Sequence, residues 1–250
     1  MNLSSRFNQV DAFILHARPY QESSAILDVF SREEGRISIL AKGIRRKNSQ
    51  AKKAILQPFR RLNLSYTGKS DLKTLTECDL RAKQQIFLST NERLACGYYF
   101  NELLQRALPE WESFPEVYDH YASSLEALNI TKAEIVLRSF EVALLTSLGL
   151  APDWQVDSAD APINEDLNYR FIENEGFQVS ESCGEYAAEL EPLYSGATIL
   201  SLAKGAYAPE SLKSCQHLTQ RLLRQVIGSK PLQSRKLWQH SRQSDSNTKN

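Results

Sequence analysis

The apolar residues of this 250-residue chain change their period near residue 80, and that change limits the folds open to it. Before it, apolar positions come in short runs at strand spacing. Val10–His16 is largely apolar. Ser23–Ser31 sets Ile26, Asp28 and Phe30 on one face and Leu27 and Val29 on the other. Arg36–Ala41 alternates, with Ile37 and Ile39 together. Leu56–Thr67 carries Leu62, Leu64 and Tyr66 at period two, and Leu72–Asp79 follows a turn at Gly68–Asp71. Glu33–Arg36 reads as a hairpin turn, with Gly35 supplying a positive φ. Five short strands with tight turns fit a small barrel or a small sandwich, and the pattern leaves the choice open. Between the third and fourth strands, Lys42–Ala54 is basic, polar and small, and reads as a solvated, mobile loop.

Beyond residue 80 the period is helical. Asn91–Leu108, with Asn91 as cap and Pro109 as stop, is the first predicted helix, and Pro115–Leu128 the second. Thr131–Gly149 is the third: Thr131 and Glu134 match a capping box, and Gly149 followed by Pro152 ends it. It is apolar almost all round, which predicts the buried centre of a helical module. Pro152–Gly184 is polar and acidic, with short strands predicted at Tyr169–Ile172 and Phe177–Val179. Helices are predicted at Tyr186–Leu193, Ser195–Lys204 and Ser211–Ile227, and a disordered polar tail over 241–250. The domains expected are 1–80 and 81–240.

The formal charge is zero, but it is unevenly spread. Residues 1–80 carry 14 Lys/Arg against 8 Asp/Glu, residues 81–200 carry 7 against 20, and residues 201–250 carry 9 against 2. Such opposed blocks point to modules with different partners, the basic one suited to a polyanion. No acid interrupts Arg36–Ser70. Its window holds Arg36, Lys42, Arg45, Arg46, Lys47, Lys52, Lys53, Arg60, Arg61 and Lys69, with Lys73 close by. A small barrel with a basic loop suits a phosphate backbone. The alternative is a non-catalytic adaptor whose basic loop meets acidic protein. Tyr20, Phe59 and Tyr66 are candidate stacking surfaces, with barrel core the competing role for Phe59.

Other chemistries find little support. Gly68-Lys69-Ser70 resembles the end of a phosphate-binding loop, but Asn63 stands where its first glycine must be. His16, His120, His217 and His240 lie in unrelated contexts, and no nucleophile or zinc-protease motif is present, so neither an enzyme nor a DNA-processing nuclease is expected. Cys78, Cys96, Cys183 and Cys215 include no close pair, so reduced thiols are expected rather than zinc ligands or disulfides. Asp157, Asp160, Glu165 and Asp166 read as a solvated acidic loop. No cofactor, metal or small-molecule substrate is expected. The N-terminus lacks an apolar signal region, and no apolar run is long enough to span a bilayer, which predicts a cytoplasmic protein. Arg138, on the most apolar helix, has two open roles. It can pair with Glu141 at i,i+3, or clamp a partner's carboxylate at the edge of an apolar groove.

Several segments together resemble the RecO family of bacterial recombination mediators over nearly the whole chain. They are AFILHARPYQESSAILDVFSREEGRISILAKGIRR (Ala12–Arg46), LQPF (Leu56–Phe59), LKTL (Leu72–Leu75), YYFNELL (Tyr98–Leu104), LRSFEVALLTSLG (Leu137–Gly149), NYRFIENEGF (Asn168–Phe177) and GSKPLQSRKL (Gly228–Leu237). The resemblance implies an α+β chain, a five-stranded OB-fold barrel followed by a mostly α-helical domain. It implies binding of single- and double-stranded DNA, annealing without nucleotide hydrolysis, and two protein partners. These are RecR, with which the recombinase RecA is loaded, and the acidic C-terminal tail of the single-stranded-DNA-binding protein SSB. Arg138 matches the family arginine that meets that tail's carboxylate. Many members carry a four-cysteine zinc site, but Tyr169–Cys183 retains only Cys183, so the resemblance implies no zinc here.

Overall fold

The computed structural model describes residues 6–81, 88–180, 192–234 and 237. Their contacts form two compact units, divided at 130/131 and again at 229/230. The first unit holds β1 (Arg6–Tyr20), β2 (Ser24–Ser31), β3 (Gly35–Ala41), α1 (Gln50–Ile55), β4 (Arg61–Thr67), β5 (Lys73–Leu80), α2 (Asn91–Ala107) and α3 (Pro115–Ala127). The second holds α4 (Ala133–Ser147), β6 (Asn168–Ile172), β7 (Gly176–Val179), β8 (Leu193–Ser195), α5 (Gly196–Lys204) and α6 (Leu212–Ile227).

The five strands close into a barrel of order β1-β2-β3-β5-β4, which is the OB-fold. Closure depends on β1, whose first half pairs with β4 and whose second half pairs with β2. Register shifts at Phe7/Val10 and Ile14/His16 let that 15-residue strand bend round both neighbours. Ala12, Ile14, Leu27, Val29, Ile37, Ile39, Leu62, Leu64 and Tyr66 fill the interior at the period the sequence shows. Gly35 ends the β2–β3 turn at φ +72°, where a Cβ would stand 1.7 Å from the Glu112 carbonyl oxygen.

The outer face of β1–β2 is buried as well. Phe13 and Phe30 pack against Tyr118 and Tyr121 of α3, at centroid distances of 5.0–6.4 Å. Asn101 of α2 donates to the Leu15 carbonyl at 2.8 Å and accepts from the Tyr121 hydroxyl at 2.6 Å. This packing places α2 and α3 in the barrel's contact unit, which runs on to residue 130. Residues 230–234 return to the same unit. Glu102 accepts from the Gln233 and Ser234 amides and the Ser234 hydroxyl, while Arg106 donates to the carbonyls of Lys230 and Pro231.

Local corrections concern caps and short elements. Thr90, not Asn91, caps α2, its side chain accepting from the Arg93 amide. The capping box at Thr131 and Glu134 does not form, because α4 begins at Ala133 after Lys132. The stretch 42–54 is an ordered turn, a single 3₁₀ turn (Lys47–Ser49) and α1 rather than an open loop. Leu193 belongs to β8; the rest of the helix expected at 186–193, apart from Pro192, lies outside the described residues, as do Cys183 and the tail at 241–250.

In the second unit, α4 packs with α6 and α5, and β7-β6-β8 form a three-stranded antiparallel sheet. Only Ser139 and Thr146 of α4 are exposed, as its apolar composition requires. Among the described residues no helix is long and apolar enough to cross a membrane.

Candidate nucleic-acid interface

The basic window divides by function once folded. Lys42, Arg45, Arg46, Lys47 and Lys53 are exposed, and Lys52 and Arg60 are half-buried. The turn that carries the first four is anchored. Gly43 takes φ +68°, and its carbonyl accepts from the Arg46 amide at 3.1 Å and the Ser49 hydroxyl at 2.9 Å. The turn is also tied to the β1–β2 hairpin. The Arg45 amide donates to the Ser23 carbonyl at 2.8 Å, the Arg45 guanidinium to the Gln21 carbonyl at 3.3 Å, and the Gly43 amide to Ser24 Oγ at 3.4 Å. Four cations are thus held on a short, fixed segment at the hairpin end, with Lys53 on the helix that follows.

Arg36, Arg61 and Lys73 serve the fold, while Lys69 is exposed. Arg36 donates to the Leu108 carbonyl at 3.1 Å and pairs with Glu110 at 3.3 Å and Asp28 at 3.6 Å. Burial pushes the Asp28 carboxyl above its usual range despite Arg36 and a hydrogen bond from Gln105. Arg61 makes a two-pronged bond to Asp11, at 3.0 and 2.7 Å. Its bonds to Asp11 push its pKa further up, so it is a permanent cation with its charge already matched. Lys73 is buried, with Nζ 4.6 Å from the Trp111 ring centre and 5.7 Å from that of Phe7. Arg36 and Arg61, both expected on the DNA face, are therefore half-buried and already paired with acids of the protein, Asp11 and Glu110 among them distant in sequence.

Arg138 lies on α4 at 3% exposure, and its guanidinium bonds Glu141 at 2.6 Å. Glu141 also accepts from the Thr219 hydroxyl of α6. Of the two roles open in the sequence, the geometry is that of the internal i,i+3 pair.

Of the three aromatic candidates, Phe59 and Tyr66 are core. Phe59 packs edge-on to Tyr98 at 5.1 Å and against Gly97, and Tyr66 stacks on Phe7 at 4.8 Å. Tyr20 is 37% exposed at the hairpin end. Arg18, also exposed, was missed by the search for a continuous basic run, because it precedes that run and lies two residues before Tyr20 on the same strand. Asp157 is engaged locally, accepting from the Ala159 and Ala161 amides, and no metal-ligand cluster occurs among the described residues. Cys78, Cys96 and Cys215 form no disulfide.

Comparison with known proteins agrees with this architecture. Residues 5–83 match the family model described as Recombination protein O N terminal, and residues 88–236 match Recombination protein O C terminal. The chain is 40% identical over 232 residues to the DNA repair protein RecO of Alteromonas mediterranea, covering 92% of this chain and 96% of that protein. It is 38% identical to the RecO of Glaesserella parasuis, covering 91% and 93%, and 37% identical to that of Proteus mirabilis, covering 91% and 90%.

Proposed function

The chain belongs to the RecO family of DNA repair proteins, and from that premise we propose that it is a non-enzymatic recombination mediator whose barrel binds DNA through the turn at 42–47. The observation that carries this reading is the placement of Lys42, Arg45, Arg46, Lys47 and Lys53, exposed on an anchored stretch free of acid. Phosphate contacts made by such side chains hold single and double strands alike, with little sequence preference. Annealing follows physically, because neutralised phosphates repel a complementary strand less. No bond in the DNA is made or broken, so neither nucleotide nor metal is required. Recruitment to coated single strands would come from the SSB C-terminal tail docking on the helical unit, and RecA loading from association with RecR. Arg138 is the residue proposed to meet that tail's carboxylate: Glu141 takes one of its donors, and its Nε has no hydrogen-bond partner among the described residues.

The test is salt dependence. On single strands, log K falls by about 0.7 per phosphate neutralised for each tenfold rise in salt. Replacing Lys42, Arg45, Arg46, Lys47 and Lys53 by glutamine removes five cations and should flatten the slope by about 3.5. An unchanged slope would move the DNA site elsewhere. A parent protein without salt-dependent DNA binding would favour the adaptor that meets acidic protein.

A further inference from the structure

The cationic turn is built against a hairpin end that carries an exposed aromatic ring. We infer that Tyr20 is a base-stacking platform, and that it biases this site towards single-stranded over duplex nucleic acid. The inference rests on the DNA-binding reading above and names the form of DNA that the site prefers.

The register places the groups. Tyr20 faces Ser24 across β1–β2, and Ala25 faces Ala41 across β2–β3. Lys42 follows Ala41 as the first residue of the turn, and the next amide, that of Gly43, donates to Ser24 Oγ. Tyr20 and Ser24 stand directly opposite, so the cationic turn is fastened to the residue paired with the one that carries the ring. That residue is a small serine, 92% buried, which leaves the surface between ring and turn low. Arg18 lies two residues from Tyr20 on the same face of β1, adding a second cation beside the ring.

Part of the Tyr20 side chain is open to a base. Among the described residues no ring contact involves Tyr20, whereas Tyr98, the other exposed aromatic of this unit, packs on Phe59. The hairpin end is also held still. Gln21 adopts φ +51°, a strained conformation for a residue with a side chain, and its carbonyl is bound by Arg45. A hairpin end and turn whose backbone is already ordered cost little backbone ordering on binding. Single strands offer free base faces to such a ring, while a duplex keeps its bases stacked internally and offers phosphates alone.

The experiment compares Tyr20→Ala and Tyr20→Phe with the parent on three probes of equal length: oligothymidylate, an abasic deoxyribose-phosphate strand, and a duplex. Removing a stacking aromatic weakens single-strand binding roughly 5- to 150-fold. With the Tyr20 ring partly covered, the expected loss for Tyr20→Ala on oligothymidylate is about 5- to 10-fold. The abasic strand and the duplex, which offer nothing to the ring, should report little of that loss, and Tyr20→Phe should bind like the parent. Equal affinity of Tyr20→Ala and parent for oligothymidylate would overturn the inference. So would an equal loss on all three probes, which marks a structural role. The five-glutamine variant tests the premise separately. If it binds every probe as tightly as the parent, the site is not on this face and both readings fall. If it weakens all three while Tyr20→Ala weakens none, only the stacking platform falls.

Discussion

Replacing Asp11 should loosen the barrel's unit more than any surface ion pair does. Asp11 is 3% exposed and accepts from Arg61 through both oxygens, from the Tyr118 hydroxyl at 2.7 Å, and faces Arg81 at 3.3 Å. It joins β1 and β4 of the barrel to α3. Removing one partner of a buried pair costs about 3–5 kcal/mol. The Arg61 and Arg81 side chains are 37% and 42% exposed, so water recovers part of their charge and the estimate moves to the lower end, about 3 kcal/mol. Asp11→Asn keeps an acceptor for Tyr118 and loses the charge, so about half of that, roughly 1.5 kcal/mol, is expected. The control is Asp119→Ala, which breaks the exposed Arg32–Asp119 pair at 2.9 Å and should leave stability near that of the parent. Urea unfolding read by Trp111 fluorescence, in a Trp154→Phe, Trp238→Phe background, isolates this unit. At a slope of about 2 kcal/mol per molar, Asp11→Ala should lower the midpoint by about 1.5 M. Equal midpoints for Asp11→Ala and Asp119→Ala would refute the reasoning, because burial would then have made no difference.

Three further outcomes are expected. Burial pushes the Glu102 carboxyl up, but the amides and hydroxyl of Gln233 and Ser234, with Arg106, pull it further down, to a net value below its ordinary one. A lowered carboxylate stabilises the fold in full above the unfolded glutamate pKa, about 4.3, and that contribution is lost as pH falls through the lower folded value. Protection of the Gln233 and Ser234 amides, measured against the intrinsic exchange rate at each pH, should therefore fall below about pH 4 in the parent and already be lost at pH 7 in Glu102→Ala. Arg138→Ala should destabilise the second unit by about 3–5 kcal/mol, since it leaves Glu141 buried without its cation, and Arg138→Met with Glu141→Leu should recover most of the loss in thermal melts. Gly35→Ala should cost about 2 kcal/mol or more in urea unfolding, because it adds a methyl against the Glu112 carbonyl at a positive φ.

What the sequence made legible was local. The alternation in Arg36–Ala41 and Leu62–Tyr66, the positive φ at Gly35, and the stops at Pro109 and Gly149 all depend on neighbouring residues, and the structure places them as expected. The near-continuous apolar runs of Phe13–Leu15 and Ala25–Phe30 also carried a signal of burial on both faces, which α2 and α3 supply. What stayed hidden was set at long range. Arg61 and Asp11 are 50 residues apart, and the Arg36 guanidinium meets the Leu108 carbonyl 72 residues on, so no window could show that these cations are already engaged. α1 lies in a stretch whose basic, polar and small residues read as loop, although alanine, lysine and glutamine are good helix formers. Tyr20 was one of three aromatic candidates, and only burial separates it from Phe59 and Tyr66.

The central claim is that the cations at 42–53 make this barrel a DNA mediator. Annealing of complementary oligonucleotides precoated with SSB, without ATP, tests it most directly. The parent should accelerate annealing, and the five-glutamine variant, while still folded, should not. Acceleration by both proteins, or by neither while the parent still binds naked strands, would contradict the account.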